Sequence, residues 1–118
     1  MIAYLSIGTN TQHQANIDAA LNLLRQHVNV TAVSGIHESP DHRGGDLVYW
    51  NLAVKLETAL SRDALKQDIL RQIEANLGRD RSSEWVTIDL DIVMFDGEGT
   101  PDIHYKHVAI PLAEIFDK

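Results

Sequence analysis

The sequence contains no cysteine, which excludes disulfide bonds, thiolate metal sites and cysteine nucleophiles. It also lacks an apolar run of the roughly 18–20 residues that a membrane-spanning helix requires. The first residues show neither the basic stretch nor the small-residue cleavage site of a secretory signal. We therefore expect a cytoplasmic protein without a membrane partner.

Positive charge is scarce, since 10 Lys and Arg residues stand against 17 Asp and Glu, giving a formal net charge of -7. Most of such a surface repels nucleic acid and anionic lipid, so we expect no nucleic-acid partner. A ligand that carries phosphate would need a metal ion, backbone amides or a few arginines to be held.

The length of 118 residues suits one compact domain, which we expect to span residues 1–118. Periodicity predicts four strands, at residues 2–8, 28–36, 49–58 and 86–95. It predicts two helices, one over residues 14–27 and one from the N-cap Ser61 to the C-cap Gly78. The order favours an α+β ferredoxin-like sandwich, with a mainly antiparallel sheet and helices on one face.

Two segments outside these elements complete the predicted organisation. The polar residues 37–48 are expected to form a long loop, and long loops in small domains are usually functional or mobile. The tail that begins at His104 is expected to pack down through Ile110, Leu112 and Ile115.

Two aspartates lie in the fourth predicted strand, although a strand interior disfavours aspartate. Alternation predicts an inward face of Ile88, Leu90, Ile92 and Met94. The opposite face then carries Thr87, Asp89, Asp91, Val93 and Phe95. Carboxylates two positions apart on a strand lie about 6–7 Å apart at their bases, so they can share one Mg²⁺ or flank two ions. The pair indicates a metal site that handles phosphates; the alternative is an acidic, solvent-exposed strand face.

Other polar residues have a functional and a structural interpretation. Arg79 and Arg81 suit phosphate binding, with Glu74 one turn before them, but cations at a helix end are favourable in any case. Tyr49 and Asn51 share a strand face and can hold a flat heterocycle, or can simply be exposed.

Histidines near the C-terminus are weaker candidates. His104 and His107 have too little specificity to indicate a transition-metal hydrolase, and one histidine touching phosphate or metal is the favoured interpretation.

With these residues assembled, the chain resembles the 6-hydroxymethyl-7,8-dihydropterin pyrophosphokinase family of the folate pathway. The segment at 87–92, Thr-Ile-Asp-Leu-Asp-Ile, is close to the family's Thr-Leu-Asp-Leu-Asp-Ile. The segment at 3–10 resembles the family's first strand, which ends in Gly-Ser-Asn. Further resemblance, in the same order, lies at residues 38–40, 49–54 and 73–81.

The resemblance implies the transfer of pyrophosphate from ATP to the hydroxymethyl group of a reduced pterin, with two Mg²⁺ ions held by Asp89 and Asp91. The residues that it places on the ATP side are Glu74, Arg79, Arg81, His104 and Tyr105, with Arg79 also in a catalytic role. Those that it places at the pterin are Ser39, Pro40, Tyr49, Asn51 and Trp85, with backbone from residues 39–45.

Several departures from the family pattern remove positive charge. Only residues 82–86 separate Arg81 from Thr87, where the family has a longer loop, and Val86 stands in place of its arginine. After Tyr105 the family's Asn-Arg-Gly-Phe is missing, and its C-terminal extension is absent. The residues that can compensate are Arg43, Lys106 and His107.

These losses lead to two alternatives to a working pyrophosphokinase. One is a catalytically weak or inactive homologue that binds a pterin or a nucleotide. The other is an enzyme with the same fold that acts on a smaller phosphate ester. A homodimer that covers an exposed sheet edge is a further expectation.

Overall fold

An antiparallel sheet forms the centre of the structure, a computed structural model that describes residues 1–41 and 45–116. Its six strands in this part of the chain are β1 (Ile2–Thr9), β2 (Asn29–Val33), β3 (His37–Pro40), β4 (Val48–Glu57), β5 (Asp89–Phe95) and β6 (Glu98–Gly99). Their order is β2-β4-β1-β5-β6, and β3 also pairs with β4. The expected α+β sandwich with a mainly antiparallel sheet is confirmed.

Strand β1 lies at the centre and fixes which residues of its neighbours meet. It pairs with β4 along its whole length, from Ile2 opposite Glu57 to Thr9 opposite Trp50. On its other side it pairs with β5. Because paired residues point to the same face, the alternation of β1 orders the side chains of all three strands.

Two helical segments cover one face of the sheet. The first is α1 (His13–His27). The second consists of α2 (Arg62–Ala64), a π-helical turn (Leu65–Leu70) and α3 (Arg71–Asn76), which follow one another without a break. As expected, the Ser61 side chain caps the start, accepting from the amide of Ala64, and Gly78 adopts φ 80° after the end.

The main core lies between these helices and the sheet. It is made of aliphatic side chains that alternate along the three central strands, among them Leu5, Ile7, Leu52, Val54, Leu56, Leu90 and Ile92. Leu24 of α1 and Leu65, Leu70 and Ile73 of the second helical segment complete it. The π turn changes the helical register, so that Leu70 is fully buried while its neighbour Ile69 is only partly buried.

Part of the opposite face of the sheet is covered by α4 (Lys106–Ile115), which follows a 3₁₀ turn (Pro101–His104). Val108, Leu112 and Ile115 pack there on Tyr4, Ala53 and Val93. Helices therefore lie on both faces. The expectation that Ile110 packs the tail down is wrong, because Ile110 is 52% exposed.

Strands β3 and β5 differ from their predicted forms. Strand β3 lies inside the segment expected to be a loop, where His37–Pro40 pairs with β4. In β5 the pairing with β1 shifts at Val93, which has no partner and acts as a β-bulge. Because a bulge reverses the alternation, Phe95 joins the main core and Met94 packs on the α4 side.

No helix in the described part of the chain is long and apolar enough to cross a membrane.

Candidate active site

A cavity of about 310 Å³ opens on the part of this sheet face that α4 leaves uncovered. Its floor consists of Ser6 and Gly8 of β1, Tyr49 and Asn51 of β4, and Asp89 and Asp91 of β5. Its walls come from Ser39 of β3 and from Asp102, Tyr105, His107 and Val108 at the end that leads into α4. We call this the floor cavity.

The strand register determines the layout of the floor. Gly8 lies between Asn51 on β4 and Asp89 on β5, and Ser6 lies between Ala53 and Asp91. A Cβ on Gly8 would lie 3.5 Å from Asn51 Oδ1 and 3.7 Å from the Tyr49 ring, so glycine keeps the floor open. The amide and the carboxylates are thus two strand spacings apart, about 10 Å.

Asp89 and Asp91 are both half-buried in this floor. Burial, then the charge of Asp89 and a hydrogen bond with it, raise the pKa of Asp91 to about 7, while Arg71 opposes the shift. Two carboxylates that share a desolvated site in this way repel each other when both are ionised. The arrangement is unfavourable until a proton or a cation joins it.

The donor set fits Mg²⁺, which prefers carboxylate oxygens and keeps several of its waters. Over residues 1–41 and 45–116, no group of three His, Cys, Asp or Glu residues could hold a metal ion. Asp89 and Asp91 would therefore supply two ligands, and water or substrate phosphate the others. This is how Mg²⁺ is commonly bound at sites that handle nucleotide phosphates.

The other end of the floor is organised by Asn51, which is only 3% exposed. Its Nδ2 donates to the carbonyl of His37 at 3.1 Å and to Ser39 Oγ at 2.7 Å. Both amide hydrogens are used to attach β3, which leaves Oδ1 to face a ligand in the cavity. Tyr49 lies beside it, is half-buried and lines the same cavity.

Glu74, which the resemblance implies on the ATP side, does not line the floor cavity. It is 2% exposed and lies beneath β5, where Oε1 accepts from Arg71 Nη1 and from Arg81 Nη2, both at 2.8 Å. Its Oε2 accepts from the amide of Leu90 at 2.9 Å, and Arg71 also donates to the Leu90 carbonyl at 3.4 Å. Glu74 therefore anchors the edge of β5 between the two aspartates.

The two arginines after α3 lie outside the floor cavity. Arg81 is exposed and reaches Glu74, whereas Arg79 Nη1 donates to the carbonyl of Asp80 at 3.2 Å. The Nε of Arg79 is buried without a partner among the described residues. Neither lines the cavity.

The remaining expected residues divide between the cavity and its surroundings. Ser39 and Tyr105 line the cavity, and the Tyr105 ring stacks on His107 with centroids 5.6 Å apart. Pro40, His104 and Trp85 are exposed and do not line it. Arg43 lies outside the described residues.

Several cavity residues were missing from the prediction. Ser6 and Gly8 follow from the alternation of β1 once Tyr4 is known to point away from the main core, but nothing in the sequence shows which face of that strand is open. Asp102 and Val108 line the cavity only because of the position of α4, which the periodicity of the short tail did not predict.

The fold and this cavity define the class: an α+β sandwich with a carboxylate pair and an amide–aromatic pair on the open part of one sheet face. Residues 4–118 match the family described as 7,8-dihydro-6-hydroxymethylpterin-pyrophosphokinase (HPPK). The chain belongs to this family, whose members are pyrophosphokinases of folate biosynthesis that use ATP and a pterin and generally require Mg²⁺. A search for curated relatives finds no match.

Proposed function

We propose that the protein transfers the pyrophosphoryl group of ATP to the hydroxymethyl group of 6-hydroxymethyl-7,8-dihydropterin. The observation that carries this proposal is the register that sets Asn51, Gly8 and Asp89 side by side. A bicyclic heterocycle bound at Tyr49 and Asn51 spans most of the roughly 10 Å between them and the carboxylates. Its substituent then ends near Asp89 and Asp91.

In this reaction the substrate hydroxyl oxygen forms a bond to the β-phosphorus of ATP. The bond from that phosphorus to the oxygen bridging to the α-phosphorus breaks, AMP leaves, and the hydroxyl proton is released to solvent. Bound Mg²⁺ would supply charge neutralisation for the phosphates at Asp89 and Asp91. The protein residues orient the two substrates and exclude water from the floor.

Binding of the pterin is assigned to the β3–β4 end of the cavity. Asn51 Oδ1 accepts from an N–H of the heterocycle, and Tyr49 packs on its flat face. Because both hydrogens of the Asn51 amide are held by β3, the oxygen is fixed in position before the ligand arrives. We keep Ser39 in the pterin site as the residue that orients this amide, and Tyr105 as the residue at the nucleotide side.

Roles that the geometry supports less well stay as predictions. These are the ATP contacts of Arg79, Arg81 and His104, the pterin contacts of Pro40 and Trp85, a second Mg²⁺ ion, a homodimer and a cytoplasmic location. For Glu74 we propose that it positions β5 and does not contact ATP, because its buried carboxylate accepts hydrogen bonds from Arg71, Arg81 and the Leu90 amide.

A weak or inactive homologue that binds the same ligands is the second candidate. It is favoured by one observation: among the described residues, no Lys or Arg lines the floor cavity. Each missing charge-assisted contact to phosphate costs about 1.5–3 kcal/mol. A protein that binds a pterin without turnover would still need Asn51, Asp89 and Asp91, which the floor cavity contains.

The experiment is to incubate the protein with Mg²⁺, ATP and the hydroxymethyl-dihydropterin and to measure AMP together with the pyrophosphorylated pterin. The wild type should form AMP and the pyrophosphorylated pterin in a one-to-one ratio. The control Asp68→Asn, which alters an exposed carboxylate of the second helical segment, should form both products at the wild-type rate. Asp91→Asn should form both products about 10²–10³-fold more slowly. Pterin binding by calorimetry without any product would favour the second candidate.

A further inference from the structure

Strand β3 is held by hydrogen bonds and not by apolar burial. None of its four residues, all of which the structure describes, is buried, and neither apolar cluster includes one of them. It pairs with β4 over His37–Pro40, and the Asn51 side chain adds hydrogen bonds to the His37 carbonyl and to Ser39 Oγ. Since these two bonds also orient the Asn51 amide, whatever fixes β3 fixes the β3–β4 end of the floor cavity.

A side chain of α4 fixes the main chain where it enters β3. Glu114 Oε1 accepts from the Gly35 amide at 2.9 Å, and Glu114 Oε2 pairs with the ring of His37. We call these two contacts the Glu114 link. The residue before it is also held, because Ser34 donates its amide to the Ala53 carbonyl and accepts from the Ala53 amide through Oγ. The link therefore extends the attachment of this segment from β4 to α4.

The local electrostatics of α4 disfavour a carboxylate at position 114. Glu114 lies in the last turn of the helix, which carries no basic residue. The free carbonyl groups of a helix C-terminus form the negative end of its dipole, so an acidic side chain there is unfavourable. The contacts with Gly35 and His37 offset this repulsion, which indicates that the carboxylate serves the tertiary contact and not the helix.

His37 connects the Glu114 link to the floor of the cavity. Its ring pairs with Glu114, while its carbonyl accepts from Asn51 Nδ2 at 3.1 Å. The same Nδ2 donates to Ser39 Oγ, two residues further along β3. Without the link, the entry to β3 would be free to move away from α4. Both hydrogen bonds that direct Asn51 Oδ1 into the cavity would then weaken.

We propose that Glu114 is a positioning residue for recognition of the pterin, acting through Gly35 and His37 on the amide of Asn51. Glu114 does not line the floor cavity, so it acts without touching the substrate. Helix α4 then has two tasks: its first turn supplies His107 and Val108 to the cavity wall, and its last turn holds the strand that orients Asn51. The inference rests on the proposed function, because it concerns the amide assigned to the pterin.

Calorimetry on the full chain, with Mg²⁺ and a non-hydrolysable ATP analogue present, tests this by the affinity for 6-hydroxymethyl-7,8-dihydropterin. Glu114→Ala should weaken pterin binding about tenfold and leave the affinity for the ATP analogue unchanged. Glu114→Gln keeps an oxygen for the Gly35 amide and gains an NH₂ group for the His37 ring. Its pterin affinity should therefore stay within about twofold of the wild type.

The matched control is Ile115→Val, one residue further along α4. Ile115 is buried in the apolar cluster beneath this helix, so the loss of one methylene should lower the melting temperature without touching β3. Its pterin affinity should equal that of the wild type. An equal loss of pterin affinity in Ile115→Val and Glu114→Ala would overturn the inference, because any loosening of α4 would then have the same effect.

A second measurement needs no ligand. The side-chain NH₂ group of Asn51 should exchange its hydrogens with solvent faster in Glu114→Ala than in the wild type and Ile115→Val, as seen in ¹⁵N spectra. Unchanged exchange in Glu114→Ala would overturn the inference, as would unchanged pterin affinity. Failure of the wild type to bind the pterin would sink the proposed function, and the exchange of the Asn51 amide alone would then decide whether Glu114 positions it.

Discussion

On the α1 face of the sheet, the central strands present Leu5, Ile7, Leu52, Leu90 and Ile92, all buried in the main core. At the alternate positions on the other face, the same strands present Ser6, Gly8, Asn51, Asp89 and Asp91. The two sets are neighbours along the chain, yet one set excludes water and the other forms an open cavity. The comparison shows how a small domain separates stability from chemistry by alternation alone.

The separation has a physical cause. Burial of the aliphatic set contributes about 25 cal/mol for each Å² of apolar surface removed from water. The polar set works in the opposite direction, because half-buried carboxylates lose hydration and repel each other. The burial of aliphatic side chains on the face that packs against α1 therefore offsets the repulsion between the carboxylates on the face that carries α4. A bound cation would reduce that repulsion.

Replacement of Asp91 by Asn should have the largest effect on activity. It removes one ligand of the proposed Mg²⁺ site, and turnover should fall by about 10²–10³-fold. The same change removes a desolvated charge, so the melting temperature without Mg²⁺ near pH 8 should rise. Steady-state AMP production and differential scanning calorimetry measure the two effects.

Leu90→Ala is the matched change on the other face, one residue away. It should lower the free energy of unfolding by about 2–5 kcal/mol through the cavity that it creates. The activity of the molecules that stay folded should change little. A variant pair in which Asp91→Asn lowers the melting temperature as much as Leu90→Ala does would contradict the separation of the two faces.

Glu74→Gln should have the next largest effect on stability. It neutralises a buried carboxylate that two arginines and the Leu90 amide hold, and loss of one partner of a buried ion pair costs about 3 kcal/mol. Urea unfolding measures this loss. If Glu74 positions β5, the KM for ATP should change less than kcat. An increase in the KM for ATP alone, with the free energy of unfolding unchanged, would instead support a direct contact between Glu74 and ATP.

The pH dependence of Mg²⁺ stabilisation should be smaller but specific to the carboxylate pair. In the folded protein without metal, the pKa of Asp91 is raised from 3.8 to about 7. Protonation of Asp91 therefore contributes stability that is fully present below pH 3.8 and is lost as the pH rises through about 7. Mg²⁺ competes with the proton, so it should raise the melting temperature more near pH 8 than near pH 5.5. Equal shifts at both pH values, or the same profile in Asp91→Asn, would contradict the assignment.

The smallest predicted effect lies at the attachment of α4. Glu114 accepts from the amide of Gly35 at 2.9 Å and pairs with His37. The Gly35 hydrogen bond, then His37, lowers the pKa of Glu114, so its contribution to stability is present above its usual value of 4.5 and is lost as pH falls through the folded pKa. Glu114→Gln should therefore lower the melting temperature slightly at neutral pH and not in strong acid. A loss that is the same at both pH values would argue against an ionic role.

The main core was largely predictable, because Leu5, Leu52 and Leu90 follow a period of two and Ile17 and Leu24 follow a helical period. The carboxylate pair was predictable for the same reason. Strand β3 was not, since His37–Pro40 has a polar composition typical of a loop and is a strand only because Asn51 and the edge of β4 hold it.

Three features of the site depend on tertiary contacts that no local pattern contains. The bulge at Val93 reverses the faces of Met94 and Phe95, whereas the prediction assumed a regular strand. Glu74 is buried only because Arg71 and Arg81 converge on it.

The third feature is a group of cations, Arg62, Lys66 and Arg71, that lines a second cavity beside Asp91. These residues are spread over positions 62–71, so along the sequence they resemble an ordinary exposed helix surface. Only the packing of that helical segment beside the free edge of β5 brings them next to Asp91.

The central claim is that Asp89 and Asp91 hold a divalent cation at the floor of the cavity, and Mn²⁺ in place of Mg²⁺ tests it most directly. Sub-stoichiometric Mn²⁺ with a non-hydrolysable ATP analogue should broaden the amide resonances of Gly8, Leu90 and Asp91 before all others in a ¹⁵N spectrum. The broadening should vanish in Asp91→Asn and persist in Asp68→Asn. First broadening at an acidic surface remote from β5, or the wild-type pattern in Asp91→Asn, would contradict the account.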